Sequence, residues 1–108
     1  MSKLLENLLQ KAQIKGEAIK NGRKSYWYGD KGDLEEKYAV VVDDNIVRLR
    51  HWGTETLVVD TDKKKVLEWY GESNSDRDSM NFMLRRLNVG GGFRYRPSLD
   101  EFSYNELL

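Results

Sequence analysis

The segment 37–70 limits the fold more than any other part of the chain, because strand-like runs follow one another there through very short connections. The runs are 37–42, 46–52, 55–60 and 66–70, and each is rich in β-branched or aromatic residues. The connections at 43–45 and 61–64 have the composition of turns. A parallel crossover needs about a dozen residues or more, and no connection here supplies them. The sequence therefore predicts an antiparallel meander.

The first part of the chain predicts a helix followed by a strand. Leucines and an alanine recur there at the spacing of one helical face: Leu4, Leu5, Leu8, Leu9 and Ala12. We expect an amphipathic helix from residue 3 to about residue 20, in an N-terminal helical region 1–22 that Asn21-Gly22 ends. A strand should follow over 24–28 and a glycine-rich loop over 29–33, so that the sheet region covers 24–71.

A second helix is predicted over 75–88. Ser75 and Asp78 have the spacing of a capping box, with Asp in place of the usual Glu or Gln. An apolar stripe follows, consisting of Met80, Met83, Leu84 and Leu87. These features predict a helix that packs on one face of the sheet.

The last region, 93–108, follows a glycine triplet and predicts a short strand and a tail. The strand should cover 93–96, before Pro97, and the run 98–101 has the pattern of another capping box. We therefore expect a short C-terminal helix or a tail. The acidic, apolar tail either closes over its own core, docks on a partner or a second copy, or stays disordered.

Composition places these elements in one soluble domain, 1–108. The chain has 108 residues, of which 39% are hydrophobic and 33% charged, enough for a single core. The predicted fold class is α+β: an antiparallel meander of four or five strands, an N-terminal helix, a second helix on one face and a short C-terminal helix or tail. The apolar runs are far shorter than the roughly 20 residues of a membrane span, and no secretory signal is recognisable. We expect a cytoplasmic protein that does not enter membranes.

Chemistry-bearing residues are sparse. There is no cysteine, which excludes disulfides, thiolate zinc sites and a cysteine nucleophile, and there is one histidine. His51 has no matching nucleophile beside it in the sequence, so it is interpreted as a packed or edge residue of a strand. The aspartates at the predicted turns have a sufficient role in hydrogen bonds to the turn backbone. We expect no metal site, no cofactor and no enzymatic activity.

Basic residues near aromatics suggest nucleic acid as one partner. Lysines and arginines balance aspartates and glutamates at 18 each, so only a local patch could attract a polyanion. The candidate phosphate contacts are Lys15, Lys20, Arg23, Lys24, Arg94 and Arg96, with Arg48 and Arg50 as additions. The alternative interpretation is a solvated lysine face on the first helix and a flexible loop after the second.

A resemblance points to another class of function. The matching residues are Gly53, Thr54, Thr56 and Leu57, then Tyr70 and Gly71, then Ser73, Ser75, Asp76, Arg77, Asp78 and Asn81. This pattern resembles that of small accessory proteins encoded by bacteriophages of Gram-positive bacteria, over about a third of the chain. The resemblance implies a class that includes inhibitors of host machinery and of antiviral defence. It brings no catalytic residues with it.

The preferred hypothesis is a non-enzymatic, phage-type accessory protein that binds and inhibits a host or antiviral-defence protein. Candidate partner-binding residues are Trp27, Arg48, Arg50, Trp52, Arg77, Arg94, Arg96, Phe102 and Tyr104. A nucleic-acid-binding module is the first alternative. The second is a sponge for a small anionic nucleotide signal, at a homodimer interface lined by Arg94 and Arg96.

Overall fold

The computed structural model describes residues 2–25 and 31–107 and shows an α+β fold. In chain order the elements are α1 (Ser2–Lys15), β1 (Glu17–Ser25), β2 (Lys31–Asp43), β3 (Ile46–His51), β4 (Thr54–Asp60), β5 (Lys65–Trp69), α2 (Asn74–Arg86), β6 (Gly92–Arg96), a 3-10 helix (Pro97–Leu99) and β7 (Glu101–Asn105). This arrangement confirms the predicted fold class. No helix in the described ranges is long and apolar enough to span a membrane.

The five-stranded sheet has the order β1-β2-β3-β4-β5, and every neighbouring pair is antiparallel. The predicted meander is therefore confirmed. Its buried face is formed by residues that lie side by side on successive strands, such as Val40, Leu49 and Leu57. On β3, Arg48 and Arg50 point to the opposite face, because side chains alternate along a strand.

Both helices cover the buried face of the sheet. Leu5, Leu9 and Ala12 of α1 join Met80 and Met83 of α2 in one apolar cluster with the strands. The stripes that predicted the helices are thus the ones that are buried. Burying a leucine or methionine side chain stabilises the fold by roughly 1.5–3 kcal/mol, which makes this cluster the main source of stability.

The N-terminal helix is shorter than predicted. It ends at Lys15, and the residues expected to extend it to about residue 20 belong to β1. The cause is Gly16, which has φ +90° and whose carbonyl accepts a hydrogen bond from the amide of Val42 on β2. Glycine adopts this backbone conformation without a steric penalty, so the chain turns here from helix to sheet. Strand β1 begins at Glu17, before the predicted start at residue 24, and the rest of the strand predicted over 24–28 falls within residues 26–30, which lie outside the described ranges.

Part of the predicted loop over 29–33 is also strand, because β2 begins at Lys31. The prediction of a second helix is correct, but its capping residue is Ser73 instead of Ser75. The Ser73 hydroxyl accepts a hydrogen bond from the amide of Asp76. The same serine-x-x-acid spacing occurs two residues earlier in the sequence, and the helix begins at that copy.

The predicted C-terminal helix is wrong. Residues 101–105 form β7, which pairs with β6 in a separate two-stranded sheet. Phe93 and Tyr95 on β6 face the neighbouring strand's Phe102 and Tyr104, and Phe93 and Phe102 also contact Trp69. These ring contacts outweigh the local capping signal at 98–101, so of the alternatives for the tail the structure shows docking on the chain's own core.

Candidate functional site

His51 and Asp76 form a buried pair at one end of the sheet. The Nδ1 atom of His51, on β3, lies 2.7 Å from Oδ1 of Asp76, on α2, and both side chains are more than nine-tenths buried. The ring of Tyr38 stacks on the imidazole with centroids 4.4 Å apart. The packed interpretation of His51 is therefore correct, but the partner that holds it was not predicted.

Asp76 is the hydrogen-bonding centre of this region. Its Oδ2 accepts from the amide of Glu72, and its own amide donates to Ser73. Burial raises the pKa of the Asp76 carboxyl, but the hydrogen bonds from His51 and from the Glu72 amide more than offset this effect, so the pKa lies below its ordinary value. Asp76 is thus ionised at neutral pH, and the close contact requires a proton on Nδ1 of His51.

The second ring nitrogen of His51 has a different environment. Its side chain lines a cavity of about 540 Å³ beside the start of α2. The described residues supply no hydrogen bond to Nε2, although every fully enclosed side-chain nitrogen or oxygen in the described ranges has a partner. Nε2 is therefore not fully enclosed, and the cavity that His51 lines gives a ligand access to the imidazole.

The cavity has a buried inner end and a polar rim. Tyr38, His51, Thr56 and Asp76 are buried, whereas Lys24, Thr54, Tyr70, Glu72 and Ser75 are exposed. Lys37 and Trp52 are half-buried. The lysines come from β1 and β2, while the carboxylates come from Glu72, just before α2, and from Asp76, in its first turn. The cavity thus presents cations on one side and acceptors on the other.

Trp52 reaches this rim through a strained turn. Trp52 and Gly53 join the paired residues His51 and Thr54, and both have positive φ, +52° and +81°. Turns of this kind favour Asn or Asp at the first position, and a bulky residue in the left-handed region costs about 1–2 kcal/mol. Trp52 is therefore not explained by the turn itself, and its place in the cavity lining suggests a binding role.

Three of the predicted partner-binding arginines are engaged within the chain. Arg48 pairs with Glu55 at 2.9 Å, and Arg77 pairs with Asp78 at 2.9 Å. Arg50 is half-buried and bonds Glu36 and Glu17, and the Glu36 hydrogen bond raises the pKa of its guanidinium. These side chains have a structural explanation on the surface of the sheet and at the start of α2.

The basic residues proposed as phosphate contacts fall into two groups. Lys15 ends α1, and Lys20, Arg23 and Lys24 lie on β1, at one edge of the main sheet. Arg94 and Arg96 are exposed on β6, in the second sheet, whose aromatic face meets Trp69 at the opposite edge strand. With strands about 4.8 Å apart, four strand spacings separate the two edges by roughly 19 Å. The structure does not bring these residues into one groove.

The remaining predicted residues lie in the second sheet or outside the described ranges. Phe102 and Tyr104 are half-buried, and the Tyr104 hydroxyl donates to the carbonyl of Gly90. Gly71 is required by this packing, because a Cβ there would lie 2.2 Å from the Phe102 ring. Trp27 lies outside the described residues.

An exposed apolar edge was not predicted. On or directly after β5, Leu67 is 46% exposed, Trp69 41% and Tyr70 50%. They border a shallow concavity of about 430 Å³. The available signal was the short, poorly alternating run 66–70, which is typical of an edge strand that is not covered on its second side.

The described residues contain no group of three or more histidine, cysteine, aspartate or glutamate side chains that could hold a metal ion. No protein-family model, no curated protein and no solved structure matches the chain.

Proposed function

We propose that the protein is a non-enzymatic accessory protein that binds a host or antiviral-defence protein along the edge of β5 and so blocks it. The observation that carries this proposal is the exposure of Leu67, Trp69 and Tyr70 on that edge. The phage context and the inhibitory role come from the sequence resemblance, and they remain part of the proposal.

An edge strand with exposed aromatic residues favours a partner. β5 is the last strand of the sheet order, so one row of its backbone groups has no strand partner in the described sheet. Proteins usually protect such edges with charges. Lys65 and Glu68 supply charges on β5, but Leu67 and Trp69 on the same strand are large, apolar and exposed. A partner strand that paired with β5 would gain backbone hydrogen bonds and would cover the apolar groups.

A leucine-to-lysine pair of variants tests the proposed edge. Leu67 has no register partner because β4 and β5 slip between Val58 and Val59, so Leu67→Lys should fold normally. Leu34→Lys makes the same change on β2, at a side chain that is 58% exposed, and serves as the control. Each tagged protein is used to capture partners from host lysate, with and without nuclease treatment, and the partners are identified by mass spectrometry.

We expect the wild type and Leu34→Lys to retain the same protein, and Leu67→Lys to lose it by about tenfold or more, since a charge in a desolvated contact is costly. A partner that Leu67→Lys still captures would contradict the proposed edge. Recovery of the tagged protein alone would contradict the proposed function. If all signal disappears with nuclease, the nucleic-acid alternative is favoured instead.

A further inference from the structure

The cavity beside the start of α2 has the properties of a small-molecule site that is separate from the β5 edge. We propose that it binds a nucleoside monophosphate, with the phosphate at Lys24 and Lys37 and the nucleoside between Trp52, His51 and Glu72. Its volume of about 540 Å³ falls in the range of about 300–1,000 Å³ typical of ligand pockets. This binding goes beyond the proposed protein-blocking function.

The cationic side of the cavity fits one phosphate group. Lys24 lies with Nζ 5.2 Å from the ring centre of Trp52, and Lys37 lies with Nζ 5.9 Å from that of Tyr38. Neither lysine is among the ion pairs of the described residues. Two ammonium groups match the double charge of a phosphate monoester, and charge-assisted hydrogen bonds are about twice as strong as neutral ones.

The opposite side of the cavity requires hydrogen-bond donors on the ligand. Glu72 is exposed there and accepts from the Tyr70 hydroxyl, and Asp76 is already bonded to His51. A bare anion would be repelled by these carboxylates. A nucleoside instead offers ribose hydroxyls and base N–H groups, which can donate to Glu72 and to Nε2 of His51, the acceptor nitrogen when Nδ1 carries the proton.

Trp52 is an independent indication of a ring-bearing ligand. The turn at Trp52-Gly53 holds the backbone of Trp52 in the left-handed region, where Asn or Asp would be more stable. Aromatic side chains at such rims stack on nucleobases because every base has a π-face. The strained turn at Trp52, the imidazole of His51 and two lysines that make no ion pair among the described residues all line one cavity, so three separate observations point to the same class of ligand.

NMR titration of the full chain tests the proposal directly. The probes are the 5′-monophosphates of adenosine, guanosine, cytidine and uridine. The controls are adenosine and inorganic phosphate, which are the two parts of adenosine 5′-monophosphate. The readouts are the indole signal of Trp52, assigned with Trp52→Phe, and the imidazole signals of His51. We expect at least one nucleotide to shift the Trp52 and His51 signals saturably. Adenosine alone and inorganic phosphate alone should not do so at the same concentration.

Paired charge variants distinguish the site from general surface attraction. Lys24→Ala/Lys37→Ala should weaken nucleotide affinity by about tenfold or more. Lys11→Ala/Lys63→Ala removes the same charge from exposed positions outside the cavity and should leave affinity unchanged. The dispersion of the NMR spectrum verifies that each variant is folded.

Three outcomes would overturn the proposal: no nucleotide shifts the Trp52 and His51 signals, inorganic phosphate binds as tightly as the nucleotides, or the cavity double variant keeps full affinity. Leu67→Lys should bind nucleotide normally. A failure of the proposed partner binding at the β5 edge can therefore be distinguished from a failure of nucleotide binding at the cavity.

Discussion

The cavity beside α2 and the edge of β5 differ in how their polar groups are satisfied. At the cavity, His51, Asp76 and Ser73 form a connected set of hydrogen bonds around buried groups. At the edge, Leu67 and Trp69 are apolar and exposed, and they lie on the last strand of the described sheet. The first arrangement is suited to a small polar ligand, because it fixes directional groups in place. The second is suited to a strand or a flat protein surface, because burial there is non-directional.

The largest expected effect is the loss of the buried pair. Asp76→Ala leaves the Nδ1 group of His51 and the amide of Glu72 without their acceptor, which should destabilise the protein by about 3 kcal/mol. Urea denaturation measures the change. The control is Asp78→Ala, which removes an exposed acid from the same helix. It should lower the free energy of unfolding by less than about 0.5 kcal/mol. Equal losses in both variants would show that the cavity network has no special stability.

Gly71→Ala tests how firmly the second sheet is packed beside the β5 edge. An added Cβ would overlap the Phe102 ring, so we expect a loss of about 1–3 kcal/mol in the free energy of unfolding. The control is Gly90→Ala, where no atom lies within 4 Å of the added group. If the two variants are equally stable, the Phe102 ring does not occupy this position in solution.

Trp52→Asn separates stability from binding at the cavity. Asn tolerates the left-handed turn position, so the free energy of unfolding should increase by about 1 kcal/mol. The same change should weaken nucleotide binding, because the stacking ring is removed. A thermal melt and the NMR titration provide the two values. A variant that is less stable than the wild type would show that the indole contributes mainly to the packing of the folded protein.

The pH dependence should be the smallest effect. Because the pKa of Asp76 is lowered in the folded state, its stabilising contribution is complete above the ordinary carboxyl value of about 4 and is lost as the pH falls through the folded value. Urea midpoints recorded from about pH 5 down to about pH 3 should therefore fall more steeply for the wild type than for Asp76→Asn. Parallel curves would contradict the role of the ionised carboxyl.

Sequence reasoning predicted the meander and both helices, but the details depended on competing local signals. Two serine-x-x-acid patterns overlap at 73–78, and the first of them, with Ser73 as the cap, begins the helix. The pattern at 98–101 is also a valid local signal, yet β7 forms because its aromatic residues meet Phe93 and Trp69. Where two local conformations are close in energy, tertiary contacts decide between them.

The sequence by itself determined the antiparallel topology, the apolar stripes of the helices and the lack of thiolate chemistry, because short connections, side-chain periodicity and composition act over a few residues. Only the tertiary structure decided the pairing of His51 with Asp76, which are 25 positions apart, and the exposure of Trp69 on the last strand of the sheet. Both depend on which elements become neighbours, and this is set by burial of the whole core.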